Sequence, residues 1–428
     1  MKELARHIVS RASKSKPYVK WLVEQTTGVV KQRGLKAGFN YLWTITFSIE
    51  DGVGLLYPLW SKRPGLLRYP GRIEIEVTTK CFLKCLKCEQ VYWNEPQKSL
   101  SAAQIEKVLD EFPKLKGISL SGIGHNYQNP DYEKILKLCC DRSLYVQFFD
   151  TFLLITPSRA KHLVDWGVTK VWMSIDGVDE KTVALQQQGS SFKKVVNNAK
   201  FLCRYKEEKK SRFPELGFTV VVTKYNIDRL PEFLDLFDEI VGDSQRMIMV
   251  QFIRLIGFEE NKYLMPDASL LKGAKAAVLE RAAKFPRERF RMNFTHFKYN
   301  IEDNKEPIEC CASWAVPFIT VDGVVYPCCG LTEGNQRQHI DKSAFGNIFK
   351  APFRKIWNGE GYRDLKSKIS KGESPDICRM YRPCTAFKTG PALRQKPQDT
   401  PQKTIPAAAS AASASYDEPA FARESHEA

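Results

Sequence analysis

Cys81, Cys85 and Cys88 stand in the run Thr79-Lys80-Cys81-Phe82-Leu83-Lys84-Cys85-Leu86-Lys87-Cys88. Thiolates this close together suit either zinc or iron. Zinc pairs usually appear as CxxC with a matching second pair, and the CxxxC half fits that poorly. Three thiolates can instead hold three irons of a four-iron cluster, which normally takes four cysteines. A trio with no fourth cysteine nearby leaves one iron open to a small molecule, and an open iron implies chemistry. A structural zinc knuckle, or three unrelated thiols, is the alternative.

Hydrophobic periodicity gives the elements that must position this trio. Just ahead of it, Ile73-Glu74-Ile75-Glu76-Val77 alternates as a half-buried strand does. Further strands are expected at 117–120, 145–149, 170–175, 217–222 and 247–253. Between them lie helical patterns at 101–112, 131–141, 157–166, 192–205 and 230–241. Such alternation implies a parallel sheet with right-handed crossovers, either a Rossmann sheet or a barrel. Both carry their functional loops at the carboxyl ends of the strands, and the trio follows the first strand. Cys139, Cys140 and Cys203 fall on expected helices and read as small buried residues.

The chain has 428 residues, 43% of them hydrophobic, which suits a soluble globular protein of two or three domains. Twelve cysteines with no apolar signal peptide ahead of them argue against a secreted disulfide scaffold and fit a reducing cytoplasm. No uninterrupted apolar run of about 18 residues is present, which argues against a spanning helix. The net charge of +16 points to a polyanionic or anionic-surface partner. Much of that excess precedes Pro70, where twelve basic residues face only Glu3, Glu24, Glu50 and Asp51. Trp21, Leu22, Val29, Val30, Leu35, Phe39, Leu42 and Trp43 recur there at roughly helical spacing. The expected structure is a helical cap on the main domain, with an amphipathic helix on an anionic membrane as the alternative.

The cysteine loop, at the end of a strand, resembles that of the radical S-adenosylmethionine (SAM) enzymes. In that family the open iron chelates the amino and carboxylate groups of SAM, and the core is a partial (β/α)6 TIM-like barrel. The run Ser121-Gly122-Ile123-Gly124-His125-Asn126-Tyr127-Gln128-Asn129-Pro130-Asp131 is similar to the family's Gly-rich SAM loop. Val171-Trp172-Met173-Ser174-Ile175-Asp176-Gly177 and Val220-Val221-Val222-Thr223-Lys224-Tyr225-Asn226 resemble its fourth- and fifth-strand segments. The resemblance implies SAM contacts from Gly122, Gly124, Ser174 and Asp176. Three departures stand beside it: His125-Asn126 where relatives have Glu-Pro, Phe149-Asp150-Thr151 where they have Thr-Asn-Gly, and Gln186 to Gln188 where an arginine is frequent. His125 is a candidate acid, base or hydrogen-bond donor, or merely a polar neighbour.

The C-terminal cysteines resemble the SPASM or twitch extension of radical SAM maturases. Cys311, Gly323 and Cys328 fit its opening, followed by Cys378-Arg379-Met380-Tyr381-Arg382-Pro383-Cys384. The resemblance implies one auxiliary four-iron cluster on Cys311, Cys328, Cys378 and Cys384, with Cys310 and Cys329 as adjacent alternates and zinc as the rival. Val321-Asp322-Gly323-Val324 is a hairpin signal in its own right. The expected organisation is a helical extension at 1–70, a radical SAM core at 71–260, a linker at 261–304, the auxiliary-cluster domain at 305–388 and a disordered tail at 389–428.

The implied activity is reductive cleavage of SAM to a 5′-deoxyadenosyl radical that abstracts hydrogen from a substrate carbon. A peptide or protein is the leading substrate, with electrons from a ferredoxin or flavodoxin. A lipid or small metabolite at a membrane surface is the second reading, and a non-catalytic iron–sulfur protein the third. Nucleic acid is a weaker partner, raised by charge alone and supported by no RNA-binding motif. The expected location is the cytoplasm, with peripheral membrane contact as a variant.

Overall fold

The protein is described from a computed structural model covering residues 16–47, 64–92, 96–255, 260–294, 315–329 and 344–371, with 373, 375 and 377. Helix α1 (Lys16–Phe47) bends at Gly34, whose φ of +82° breaks the helical run. The core then runs β1 (Arg72–Ile75), β2 (Lys84–Cys85), α2 (Ala102–Asp110), β3 (Gly117–Leu120), α3 (Tyr132–Asp141), β4 (Tyr145–Asp150), α4 (Pro157–Asp165) and β5 (Lys170–Ser174). It continues through α5 (Glu180–Gln186), β6 (Gln187–Gln188), α6 (Phe192–Glu208), β7 (Glu215–Val222), α7 (Glu232–Val241), β8 (Ile248–Arg254), α8 (Ala268–Ala282) and β9 (Phe290–Asn293). The C-terminal region adds β10 (Phe318–Ile319), β11 (Val324–Tyr326), β12 (Gly346–Asn347), α9 (Phe353–Trp357) and α10 (Glu360–Ser370).

Ten strands form one sheet in the order β12-β11-β10-β1-β3-β4-β5-β7-β8-β9. From β10 through β1 to β9 every pairing is parallel, while β10, β11 and β12 pair antiparallel. The six strands expected from periodicity are all present and form the barrel-like centre, with helices between them. The stretch expected as a linker holds α8 and β9, and β9 extends the core sheet beside β8. Its strand is short and only half-buried, so it carries no alternation strong enough to read. The Asp322-Gly323 signal forms the turn between β10 and β11, with Gly323 at φ +77°.

Side chains alternate across the sheet, and the two faces differ chemically. Ile73, Ile118, Val146, Val171, Leu216, Phe218 and Val250 face the helices in one continuous apolar core. The other face lines the lumen with Ser119, Gln147 and Lys170 level in one layer, Trp172 in the next, and Ser174 level with Thr219 beyond it. Trp172 lies across Gly217, where a Cβ would come within 2.5 Å of the indole, and stacks on Phe149 at 5.9 Å. A parallel sheet buried on both faces usually reads as unbroken apolar runs. Here the polar alternate positions mark a lumen built to face something polar.

Helix α1 lies across the amino ends of the strands. Leu22, Val29, Ala37, Tyr41 and Ile45 bury against Tyr145 and Phe213. Asn40 donates to the Ser143 carbonyl at 2.9 Å, Arg33 to the carbonyls of Cys140 and Leu144, and Tyr41 to the Glu215 carboxylate at 3.2 Å. Among the described residues no helix is long and apolar enough to cross a membrane.

Candidate functional site

The loop after β1 is pinned from three sides. Thr79 takes the Lys98 backbone N–H and donates to the Pro96 carbonyl, fixing the entry to the cysteines. β2, which carries Cys85, pairs antiparallel with β6, placing Lys84 opposite Gln188 and Cys85 opposite Gln187. Leu86 N–H donates to the Gln186 carbonyl at 3.1 Å. Gln186 to Gln188 are thus a backbone clamp on the cysteine loop. Gln187 also reaches the backbone of both Ser174 and Asp176, and Gln186 takes the Thr223 hydroxyl at 2.6 Å.

Burial pushes the Cys81, Cys85 and Cys88 thiols up, Cys88 to about 12, and the three lie within electrostatic range of one another. The strongest influence opposing burial at Cys85 is the Lys87 ammonium. Among the described residues no group of three or more His, Cys, Asp or Glu side chains is set to grip one ion. A four-iron cluster offers a separate iron to each thiolate and needs no such convergence. Its metal charge offsets the cost of holding three thiolates in this shielded pocket. The donor set therefore fits a cluster.

Ser121 to His125 fold directly over this loop. A Cβ at Gly124 would sit 2.2 Å from the Thr78 carbonyl, and one at Gly122 would sit 2.4 Å from Glu76 Cγ. At position 124 only glycine lets the two backbones touch, and at 122 it leaves room for the Glu76 side chain. Glu76, fully buried, receives the Ile123 N–H on one oxygen and the Val321 N–H on the other, joining this loop to the C-terminal region. Sequence reading passed over Glu76. Its signal was a charged residue at an inward position of an alternating strand.

His125 is buried and donates its backbone N–H to the Lys80 carbonyl at 2.7 Å. Its Nε2 lies 3.2 Å from the Thr151 hydroxyl, and its Nδ1 lies 3.7 Å from Asp150 Oδ2. Neither Nδ1 nor Oδ2 has a hydrogen-bond partner. Burial raises the Asp150 carboxyl, against the opposing pull of His125. Two of the departures from the family pattern thus meet at one point beside Cys81.

Ser174 sits half-buried at the lumen rim. Asp176 is fully buried, accepting the Val221 N–H at 2.8 Å on Oδ1 and pairing with the Lys87 ammonium through Oδ2. Lys87 was another residue that sequence reading did not single out. In the second cysteine region Cys328 and Cys329 are half-buried just past β11, with the buried Tyr362 close to Cys328. Cys310, Cys311, Cys378 and Cys384 lie outside the described residues, as does the tail from 389. Cys139, Cys140 and Cys203 are buried on α3 and α6, as expected.

A parallel barrel-like sheet with a cysteine trio and a glycine loop at its carboxyl end defines an enzyme of the radical SAM type. The Radical SAM superfamily model matches residues 75–237, and the SPASM model, an iron–sulfur cluster-binding domain, matches residues 310–385. The chain belongs to the radical SAM superfamily and carries a C-terminal SPASM region. It is 24% identical over 336 residues to the tungsten-containing aldehyde ferredoxin oxidoreductase cofactor-modifying protein of Pyrococcus furiosus, covering 74% of this chain and 89% of the relative. It is 24% identical over 268 residues to PqqA peptide cyclase of Bradyrhizobium diazoefficiens, covering 60% of this chain and 66% of that one. Its fold is similar to Streptococcus suis SuiB bound to precursor peptide SuiA, with TM-score 0.58 and 15% identity over 84% of this chain and 81% of that one. Family membership implies a [4Fe–4S] cluster, SAM and auxiliary iron–sulfur in the SPASM region.

Proposed function

We propose that the chain is a peptide-modifying radical SAM enzyme in which Cys81, Cys85 and Cys88 hold the SAM-binding cluster. The observation that carries this reading is the contact of the Gly124 backbone with the loop bearing three mutually neighbouring, shielded thiols. Bound together, the reduced cluster and SAM supply a 5′-deoxyadenosyl radical able to take hydrogen from an unactivated carbon. This chain's residues supply the setting. Gly122, Gly124, Ser174 and Asp176 frame the SAM cleft, the polar lumen admits the substrate, and the clamp at Gln186 to Gln188 holds the cysteines still.

Peptide as substrate is supported by relatives named as PqqA peptide cyclase and by SuiB bound to its precursor peptide. Cys311, Cys328, Cys378 and Cys384 would hold one auxiliary cluster that takes the electron left on the substrate. A ferredoxin or flavodoxin would deliver the first electron. Electron paramagnetic resonance of the anaerobically reconstituted, dithionite-reduced protein tests the reading. The expected result is a reduced-cluster signal that SAM shifts, and a residual SAM-insensitive signal in the Cys81/Cys85/Cys88→Ala variant. Signals that SAM leaves unchanged, with no 5′-deoxyadenosine formed, would favour a non-catalytic iron–sulfur protein.

A further inference from the structure

The second half of α1 is apolar on both faces. Ala37, Tyr41 and Ile45 turn inward to the barrel, while Leu35, Phe39 and Leu42 turn outward at 79%, 57% and 40% exposure. Their spacing of four and three residues sets them in one line on a helix. Scattered exposed apolar residues are ordinary, but an aligned stripe on a helix whose other face is already buried needs a partner.

The surroundings say what kind of partner. Lys116 extends over the Phe39 ring, 5.1 Å from its centroid. Burial, then the like charges of Lys36 and Lys114, push the Lys116 ammonium down from its ordinary value. Among the described residues none of these three lysines makes an ion pair. An apolar stripe beside mutually repelling lysines is complementary to a surface that is oily and anionic at once. A second copy of the chain is a poor match, because an isologous contact would set lysine against lysine.

We propose that Leu35, Phe39 and Leu42, with Lys36, Lys114 and Lys116, dock the protein on an anionic lipid bilayer surface. Apolar side chains enter the interface while the lysines are attracted to the anionic headgroups. α1 crosses the amino ends of the strands, whereas the cysteine loop follows the carboxyl end of β1. Docking this way turns the lumen mouth to the water. The enzyme is then held at the membrane yet works on a substrate arriving from the aqueous side, which favours a peptide over a bilayer lipid.

The test is co-sedimentation of the full-length protein with phosphatidylcholine vesicles, with and without phosphatidylglycerol. Pelleting is expected only with phosphatidylglycerol, falling at least tenfold as salt shortens the screening length. Both Phe39→Ser/Leu42→Ser and Lys36→Glu/Lys114→Glu should abolish it with the thermal midpoint unchanged, since all four side chains are exposed. Pelleting unchanged in both variants would overturn the proposal, as would loss of pelleting only on deletion of residues 1–15. Absence of pelleting, together with a dimer that Phe39→Ser dissociates, would assign the stripe to a second copy instead. None of these readouts depends on the cluster, so failure here leaves the enzymatic reading untouched.

Discussion

Lys87 stands between two cysteines and is tied to Asp176, which makes it a fixed charge beside the proposed cluster site. Potentials of iron–sulfur clusters respond to nearby charge. Lys87→Met is expected to make the midpoint potential of the reconstituted cluster more negative, and Asp176→Asn to make it less negative, in a redox titration followed by electron paramagnetic resonance. Both variants break the same ion pair, so shifts of the same sign would reduce the pair to scaffolding. Gly124→Ala forces a methyl group against the Thr78 carbonyl. The expected outcome is a loss of roughly 1–3 kcal/mol in urea unfolding, and a cluster signal that no longer moves with SAM. At this scale the cysteine trio and the glycines were legible, because their spacing is itself the chemistry. Glu76, Lys87 and the His125–Asp150 contact were not, since each depends on a partner from 25 to 245 residues away.

The element that holds the trio most directly is the α5–β6 segment, and its start is set by one side chain. Asp179 caps α5 by accepting the Thr182 N–H at 2.7 Å and pairs with Arg229. Asp179→Ala is expected to cost about 1 kcal/mol in urea unfolding and to lower cluster occupancy through a looser Gln187. The Arg229 guanidinium first, then the Thr182 N–H, hold the Asp179 carboxyl at about 2. Its contribution is therefore complete above the ordinary carboxylate value near 4, and is lost as pH falls toward 2. The gap in unfolding midpoint between parent and Asp179→Ala should close over that window. Periodicity found the six central strands and the helices between them because each buries a long apolar face. It missed α5 and the two-residue strands β2 and β6, whose placement rests on a clamp between distant loops rather than on an apolar pattern.

Across the whole molecule, the fold is a barrel-like sheet capped at its amino end by α1 and extended at both edges by later chain. Tyr41 sits at the centre of the cap, 5.8 Å from the Tyr145 ring and 5.9 Å from Phe213. Tyr41→Ala is expected to lose roughly 3 kcal/mol, read as a lower thermal midpoint, since it opens a void over the barrel floor. The sequence announced the cap through the apolar spacing of α1, but not which of its apolar residues would stay outside. That division depends on where the strand ends lie. The other edge carries a matter of timing. β1 has two neighbours, β3 from the same core and β10 from far down the chain, and Glu76 binds Val321 across 245 residues. A ribosome takes roughly 12–50 seconds to cover that distance. Through that interval the strand leading into Cys81 is bordered on one side only. Iron loaded onto the nascent chain would meet an unfinished loop, so the proposed first cluster is expected to load only after β10 has paired with β1.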